Sequence, residues 1–537
     1  MVSDAAPEAG TADQPSSDSV SDTPSAADGH TGSGGTAPVP ETVEARLDDA
    51  LERVAHGATV SIPSILAERG LALAFTAILT NGFSANSYGL FALARRLQRF
   101  PLHVALGFQS GLSRFLPTVD STEERDALVT FALALLLSAA ALFGAVLFFA
   151  APTLTELTGK STEFRRLLRI FALGMPAAAF LFAVAAVFRG LEEVVPLNLT
   201  IRVGFPLAQV GVAVAGVLVF DDLALVAAGV LASMGVTGLV AAGWLVRERG
   251  LRPRLRSPGE GTVWRRYLAY TLPLFVGGIA TTIQRLGFYP LIAVFLSNVA
   301  GGVFAIGVLL GSFVRLPLMG INQFIPPVAA ALNEDDHRES LARLYHVTSR
   351  LVLVGVTGIS VPVVVYRETV MGLFGPTYVQ YAPLLPWFVL AQYGACAAGS
   401  VGILLAMTDN QRALLAINTA ITAFLVVTAI PLTSQFGLDG LVTSYVLMLT
   451  INNGLEVAVL YRLEGLQPFT RLHLRPLVAA VPFVLVTAAV GGLLSGAAAA
   501  VVGTLVGLAV YAFSLRRLGF TPVERRLAAT LGERYRR

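Results

Sequence analysis

Nine arginines stand inside stretches that are otherwise apolar: Arg69, Arg95, Arg96, Arg99, Arg114, Arg202, Arg285, Arg315 and Arg350. Glu68 and Glu456 are the main acids among them. In a membrane, each centrally placed arginine costs about 2.5–3.5 kcal/mol on insertion scales, so these residues face a wet cavity, a counterion or the interface. Arg95, Arg96, Arg99, Arg114 and Arg350 lie near the ends of their apolar stretches and also suit snorkelling to the interface. Arg69, Arg202, Arg285 and Arg315 have longer apolar flanks and are expected to line a cavity. A cavity rich in guanidinium groups selects an anion, and guanidinium matches phosphate oxygens bidentately. The lipid diphosphate head group fits that description, with Arg69, Arg285, Arg202 and Arg315 as the leading phosphate or glycan contacts. Glu68, adjacent to Arg69, is also placed to pair with it locally.

Neutral polar residues in the same stretches, among them Gln109, Gln284, Asn322, Gln392, Asn418 and Asn452, suit sugar hydroxyls or hydrogen bonds between helices. Gln109 and Asn322 join the candidate substrate-binding set because an internal repeat aligns them. The acids of the connectors, Glu192-Glu193, Asp221-Asp222 and Glu334-Asp335-Asp336, form no convincing metal or base set. No phosphate-binding Gly-Lys-Ser/Thr motif occurs, which argues against ATP hydrolysis. His103 lacks an identifiable partner and is read as a packed or hydrogen-bonded residue. No cofactor is expected, and a coupling cation, where one is used, is not named by these residues.

These arginines need helices to hold them. The chain has 537 residues, 55% of them hydrophobic and only 14% charged, with mean hydropathy +0.69. An ordinary soluble domain carries about 25% charge, so a soluble enzyme is excluded. Residues 1–40, rich in Ser, Ala, Gly, Pro, Asp and Thr, are expected to be a disordered acidic head, and 41–57 an amphipathic surface helix with Val43, Leu47, Leu51 and Val54 on one face. Eleven acids against Arg46 and Arg53 give residues 1–57 a net charge of −9; the whole chain is +3, so the remainder is +12. Cys396 is alone and carries no disulfide information.

Apolar runs follow at 58–82, 88–115, 127–151, 164–188, 195–219, 222–246, 264–295, 299–328, 342–366, 378–406, 411–432, 437–461, 474–495 and 498–515. Each is long enough, or nearly so, to cross a bilayer core of about 30 Å. An even number puts both termini on one side, and with that side cytoplasmic the inner segments carry 24 basic residues against five outside, as the positive-inside rule requires. The outer exceptions are Lys160, Arg165, Arg166, Arg169 and Arg367. The expected architecture is an all-α integral membrane protein of about 14 transmembrane helices in a cytoplasmic membrane. Its parts are an N-lobe over 58–246, a basic linker over 247–263, a C-lobe over 264–461, an appended pair over 474–515 and a basic tail over 516–537.

The two lobes look duplicated. At an offset of 213 residues, Gly89-Leu90-Phe91-Ala92 matches Gly302-Val303-Phe304-Ala305, Leu97 matches Leu310, Phe100 matches Phe313, Gly107 matches Gly320 and Gln109 faces Asn322. With a three-residue deletion in the connector, Arg69 aligns with Arg285. Two six-helix halves starting on the same side are parallel repeats, which enclose a substrate site near the midplane.

The run Ser64-Ile65-Leu66-Ala67-Glu68-Arg69-Gly70 through Ala85-Asn86-Ser87-Tyr88-Gly89-Leu90-Phe91-Ala92-Leu93 resembles the opening of polysaccharide-biosynthesis membrane proteins, the flippases for lipid-linked oligosaccharides. Phe188-Arg189-Gly190-Leu191 resembles their segment after the fourth span. The resemblance implies the fold of the multidrug/oligosaccharidyl-lipid/polysaccharide exporter superfamily and movement of a polyprenyl-phosphate-linked glycan between leaflets. The implied partners are an anionic lipid-linked glycan, membrane lipids and glycan-assembly enzymes, with no nucleic acid. The acidic head and the single lysine, Lys160, depart from the family's usual look and fit a salt-adapted, high-GC prokaryote such as a haloarchaeon. Two rival readings remain at this stage. A cation-coupled multidrug exporter of the same superfamily would share the lobes but carry acidic cavity residues; a polytopic glycosyltransferase or polymerase would need placed acids.

Overall fold

In a computed structural model, residues 43–119, 121–252, 262–323, 325–334 and 338–519 are described. The expected disordered head at 1–40, most of the basic linker and the tail beyond residue 519 lie outside them. The described residues are helical, with no strand among them. The surface helix expected to end near residue 57 does not stop there: Val43–Gly82 is one helix of 40 residues that continues into the first apolar run. Pro63 lies inside this helix without ending it.

Nine helices among the described residues are long and apolar enough to cross a membrane, or ten when the bent pair Thr162–Leu173 and Met175–Gly190 is taken as one span. The difference from about 14 has local causes. Runs 411–432 and 437–461 are two helices that follow each other within Gln411–Glu464 and count as one stretch by length, joined at Gly437, whose φ 61° and ψ −134° are non-helical. A side chain at Gly440 would strike the Leu432 carbonyl, although eight residues of straight helix would separate the two by about 12 Å. The chain therefore turns sharply between them. Runs 88–115, 264–295 and 299–328 are helical but broken, at 106–109, at Gly287 and at Arg315. Pro290 and Pro317 just after the last two breaks remove helix donors.

Packing in the first six runs recurs in the next six. Runs three and four pack together, as do nine and ten; two packs on four as eight does on ten; four on six as ten on twelve; and one on five as seven on eleven. Even the caps repeat. Ser84 caps Ala85–Ala105 by accepting from Ser87 N at 3.1 Å, and Ser297, 213 residues later, caps Asn298–Val314 by accepting from Ala300 N at 3.3 Å. The appended helices Leu474–Leu493 and Gly496–Leu518 pack on each other and on Arg338–Val365. Tyr366 anchors that contact by donating its hydroxyl to Thr487 O at 2.7 Å.

The halves meet where run two crosses run eight, and again where Thr262–Leu286 packs on the inner part of run two, with Phe108 stacked on Phe275 at 4.8 Å. Gly89 lies so close to the Asn298 carbonyl that no Cβ fits, and a Cβ on Gly301 would stand 2.7 Å from Leu93 Cγ. At the same end of the molecule, Asn298 Nδ2 donates to Asn86 Oδ1 at 2.8 Å, Asn81 Nδ2 to Leu373 O at 2.9 Å and Lys160 Nζ to Leu296 O at 2.7 Å. All six residues belong to the predicted outer end. Arg166 also pairs with Asp222 there at 3.3 Å. Across the molecule, Arg125 donates to Arg249 O, Arg249 pairs with Glu193, and Arg338 pairs with Glu464 at 3.5 Å. Each contact joins segments of the same predicted side, so alternate crossing of the chain is consistent throughout.

The crossing sets a stability test. Gly89→Val forces the two helices apart and should cost about 1–3 kcal/mol by overpacking. Gly70, with nothing within 4 Å of an added Cβ, should accept Ala with no loss. Thermal unfolding of the detergent-solubilised protein should show a lowered Tm for the first variant and an unchanged or raised Tm for the second.

Candidate substrate cavity

A cavity of about 510 Å³ lies mainly within the first half and is closed on one side by the Asn298–Val314 helix of the second. Its wall carries six arginines, Arg69, Arg95, Arg96, Arg99, Arg189 and Arg202, and one carboxylate, Glu68. Among the described residues none of the six makes an ion pair. In a region sheltered from bulk water, such an excess of like charge raises the affinity for any anion that enters.

The second helix supplies three of these groups because residues three and four apart share one helical face, which aligns Arg95, Arg96 and Arg99 along the cavity. Arg95 Nη2 donates to Gln209 Oε1 at 3.2 Å while its guanidinium lies 4.9 Å from the Phe75 ring centre. Arg96 lies over Tyr289 at 5.3 Å. Stacking on aromatic faces holds a cation without neutralising it. His103 Nδ1 donates to the Arg99 carbonyl at 2.9 Å, which fixes the ring as a packed, hydrogen-bonded group.

Arg69 reaches across to the second half. Its Nη1 donates to Ser312 Oγ at 3.3 Å and its Nη2 contacts Met319 Sδ at 3.8 Å, while buried Nε has no partner. Arg202 belongs to a π-helical stretch, Asn198–Gly204, within the fifth run. Its Nη1 donates to Ser64 Oγ at 3.4 Å, and Ser64 Oγ to Asn198 Oδ1 at 3.4 Å. π-Helical turns carry one residue more than the α-helical repeat and are frequent at functional sites because they re-aim side chains.

Of the six residues singled out from sequence, the cavity wall includes Arg69 and Arg202. Arg315 occupies the break between Asn298–Val314 and Leu316–Ile321, within electrostatic reach of Arg69, Arg285 and Glu456. Arg285 is exposed at the end of Thr262–Leu286 and is not on the cavity wall; its partner in the repeat, Arg69, is. Asn322 accepts a hydrogen bond from Ser400 within the second half. Gln109 lies in the short 3₁₀ turn after the second helix, and its buried Oε1 has no partner. Neither is on the cavity wall.

Sequence reasoning did not single out Arg95, Arg96, Arg99 and Arg189 as site residues. The 95/96/99 spacing was the available signal, but nearness to a span end made snorkelling an equal reading. Arg189, at the end of the fourth run, reads from sequence as one of the inner basic residues. Among the described residues, no three His, Cys, Asp or Glu side chains converge to hold a metal.

A model of the family described as polysaccharide biosynthesis protein matches residues 78–383, more than half of the chain. No curated protein matches. Among solved structures, an inward-facing multidrug resistance MATE family transporter of the MOP superfamily is similar at TM-score 0.63 and 16% identity, covering 76% of this chain and 98% of that one. Lipid II flippase MurJ in an inward closed conformation is similar at TM-score 0.66 and 12% identity, covering 84% and 96%. A MOP superfamily transporter from Pyrococcus furiosus, described by the reverse polarity of its binding pocket, is similar at TM-score 0.55 and 16% identity, covering 78% and 96%. The fold is therefore that of the MOP superfamily, and this multi-pass membrane protein belongs to the polysaccharide biosynthesis protein family.

Proposed function

We propose that this protein is a flippase carrying polyprenyl-(di)phosphate-linked oligosaccharide across the cytoplasmic membrane by alternating access, for surface polysaccharide or protein glycosylation. It acts without catalysing a reaction of its own, and both termini are cytoplasmic. The observation that carries this reading is the set of six cavity arginines facing one carboxylate with no ion pair among the described residues. A cavity built to take organic cations would need the opposite sign.

The geometry suits the task. A diphosphate offers several oxygens to convergent guanidinium forks, and Arg69, Arg96 and Arg99 are near enough to influence one another's charge. The lipid tail has no need to enter, because the charged group and the first sugars are what the bilayer core rejects. Arg69 hydrogen-bonds from one half to the other, so an anion that competes for its guanidinium also alters contact between the halves. At the predicted outer end, closure rests on tight packing at Gly89 and three hydrogen bonds between the halves. Such bonds contribute about 0.5–1.5 kcal/mol each, and about 5.5 kcal/mol of differential binding inverts a 1:99 equilibrium.

Two outcomes are expected. Arg69→Gln combined with Arg99→Gln should lower the outer-face exposure of lipid-linked glycan at least about tenfold, with total lipid-linked glycan kept or raised and protein abundance in the membrane unchanged. Surface labelling of the glycan against its total extract measures both; normal exposure in the double variant refutes the site, and absence of assembled lipid-linked glycan refutes the flippase reading. The second outcome concerns the empty cavity, where each like-charged pair costs on the order of 1 kcal/mol. Arg99→Gln alone should raise Tm at low ionic strength, and added salt should shrink the gain. An unchanged Tm at low salt would show that the cavity charges are already balanced.

A further inference from the structure

The cavity holds more positive charge than a lipid diphosphate can neutralise. Six arginines against Glu68 leave a net charge of +5 on the wall. The two phosphates of a lipid-linked sugar carry about one negative charge each, which leaves roughly three positive charges unmatched in a sheltered space where unpaired charge is costly.

The arginines divide into two groups along the helices. Arg69, Arg95, Arg96 and Arg99 act on one another electrostatically, whereas the cationic neighbour of Arg189 is Arg202. Arg202 is held at Ser64, five residues before Arg69 on the first helix, a rise of about 7.5 Å toward the predicted inner end. Arg189 closes the Met175–Gly190 helix at that same end. The pair is thus anchored nearer the predicted inner end than the deeper group.

The surroundings of this pair are those of a glycan rather than a second phosphate. Ser64 and Asn198 orient Arg202 by neutral hydrogen bonds and leave its charge unmatched. Gln209 is only 7% exposed and lines the cavity about two turns from Arg202. Its Oε1 accepts from Arg95, but its buried Nε2 has no partner. A buried amide donor left unsatisfied is costly, and a sugar hydroxyl or ring oxygen placed between the two arginine groups would satisfy it. Phe205, on the cavity wall between Arg202 and Gln209 in sequence, adds apolar surface beside a sugar.

We propose that Arg189 and Arg202 form a second anion subsite that takes the carboxylate of an acidic sugar, with Gln209 binding the glycan between this subsite and the diphosphate group. This rests on the flippase reading and narrows its cargo to acidic glycans. The carboxylate suits guanidinium because two parallel N–H···O bonds match its plane. The shared chemistry is an oxyanion, so a second phosphate is the competing source and must be told apart by experiment.

The test titrates the purified full-length protein calorimetrically with trigalacturonate, with maltotriose as its neutral counterpart, and with inorganic pyrophosphate. The wild type should bind one equivalent of pyrophosphate, and trigalacturonate at least about tenfold more tightly than maltotriose. Arg189→Gln with Arg202→Gln should weaken trigalacturonate at least about tenfold while leaving pyrophosphate within about twofold. Arg189→Lys with Arg202→Lys, which keeps the charge but removes the planar fork, guards against a folding defect and should still weaken trigalacturonate several-fold. Equal binding of trigalacturonate and maltotriose, or no binding of trigalacturonate to the wild type, overturns the subsite. A second equivalent of pyrophosphate that the Arg189/Arg202 variant loses assigns the pair to phosphate and also overturns it. Trigalacturonate binding without any pyrophosphate binding keeps the acidic-sugar subsite and instead refutes the diphosphate part of the flippase reading.

Discussion

Uncompensated guanidinium charge in an apolar protein is the constraint from which the rest of this structure follows. Several arginines cannot face lipid without a cost that exceeds ordinary folding stability. They therefore demand a wet enclosure, and one helical half cannot close such a space alone. Here the first half supplies all six arginines and the second closes the wall with Asn298–Val314. The aromatic faces of Phe75 and Tyr289 and the amide of Gln209 hold the guanidinium groups in position while leaving their charge unspent.

The two halves touch through close shape at the crossing of runs two and eight, and again where Thr262–Leu286 packs on run two with the Tyr267 hydroxyl donating to the Phe108 carbonyl. Glycine at position 89 lets one helix touch the backbone of the other, which gives close packing without long interlocking side chains that would resist separation. The hydrogen bonds that accompany it come from helix ends and connectors. Lys160, the only lysine of the chain, places its ammonium on the Leu296 carbonyl just after the Phe288–Phe295 helix, where the helix dipole favours a positive charge. Its position on the predicted outer side departs from the basic-residue rule, and the contact gives that departure a structural purpose.

Much of the architecture was legible before any coordinates. Apolar runs of membrane length fall on helices, and the offset of 213 residues aligns Ser84 with Ser297, two caps that perform the same task at the start of paired helices. What sequence could not resolve is where a helix breaks. Run length alone does not show that Arg315 occupies a break or that the surface helix continues past residue 57, whereas the gap between runs 411–432 and 437–461 does fall at the kink. The site was read in part for the same reason. Arg95, Arg96 and Arg99 lie near an apolar boundary in sequence, yet depth in a membrane protein depends on where neighbouring helices leave room for water, which no single run encodes.

The arginines are carried by two kinds of backbone: Arg69, Arg95, Arg96 and Arg99 stand within regular helices, whereas others occupy less regular stretches. Arg202 lies in a π-helical turn, Arg315 at a helix break and Arg189 at a helix end, whereas the regular helix Leu223–Arg249 lends the cavity only Val230, Leu231 and Met234. Irregular turns sacrifice some backbone regularity but point side chains where a straight helix cannot. Regular helices, packed through small and apolar residues, supply the rigidity that those turns lack. Regular helices thus bring the deeper arginines together while irregular turns aim Arg189 and Arg202, and the apolar helices around them carry each half as a body.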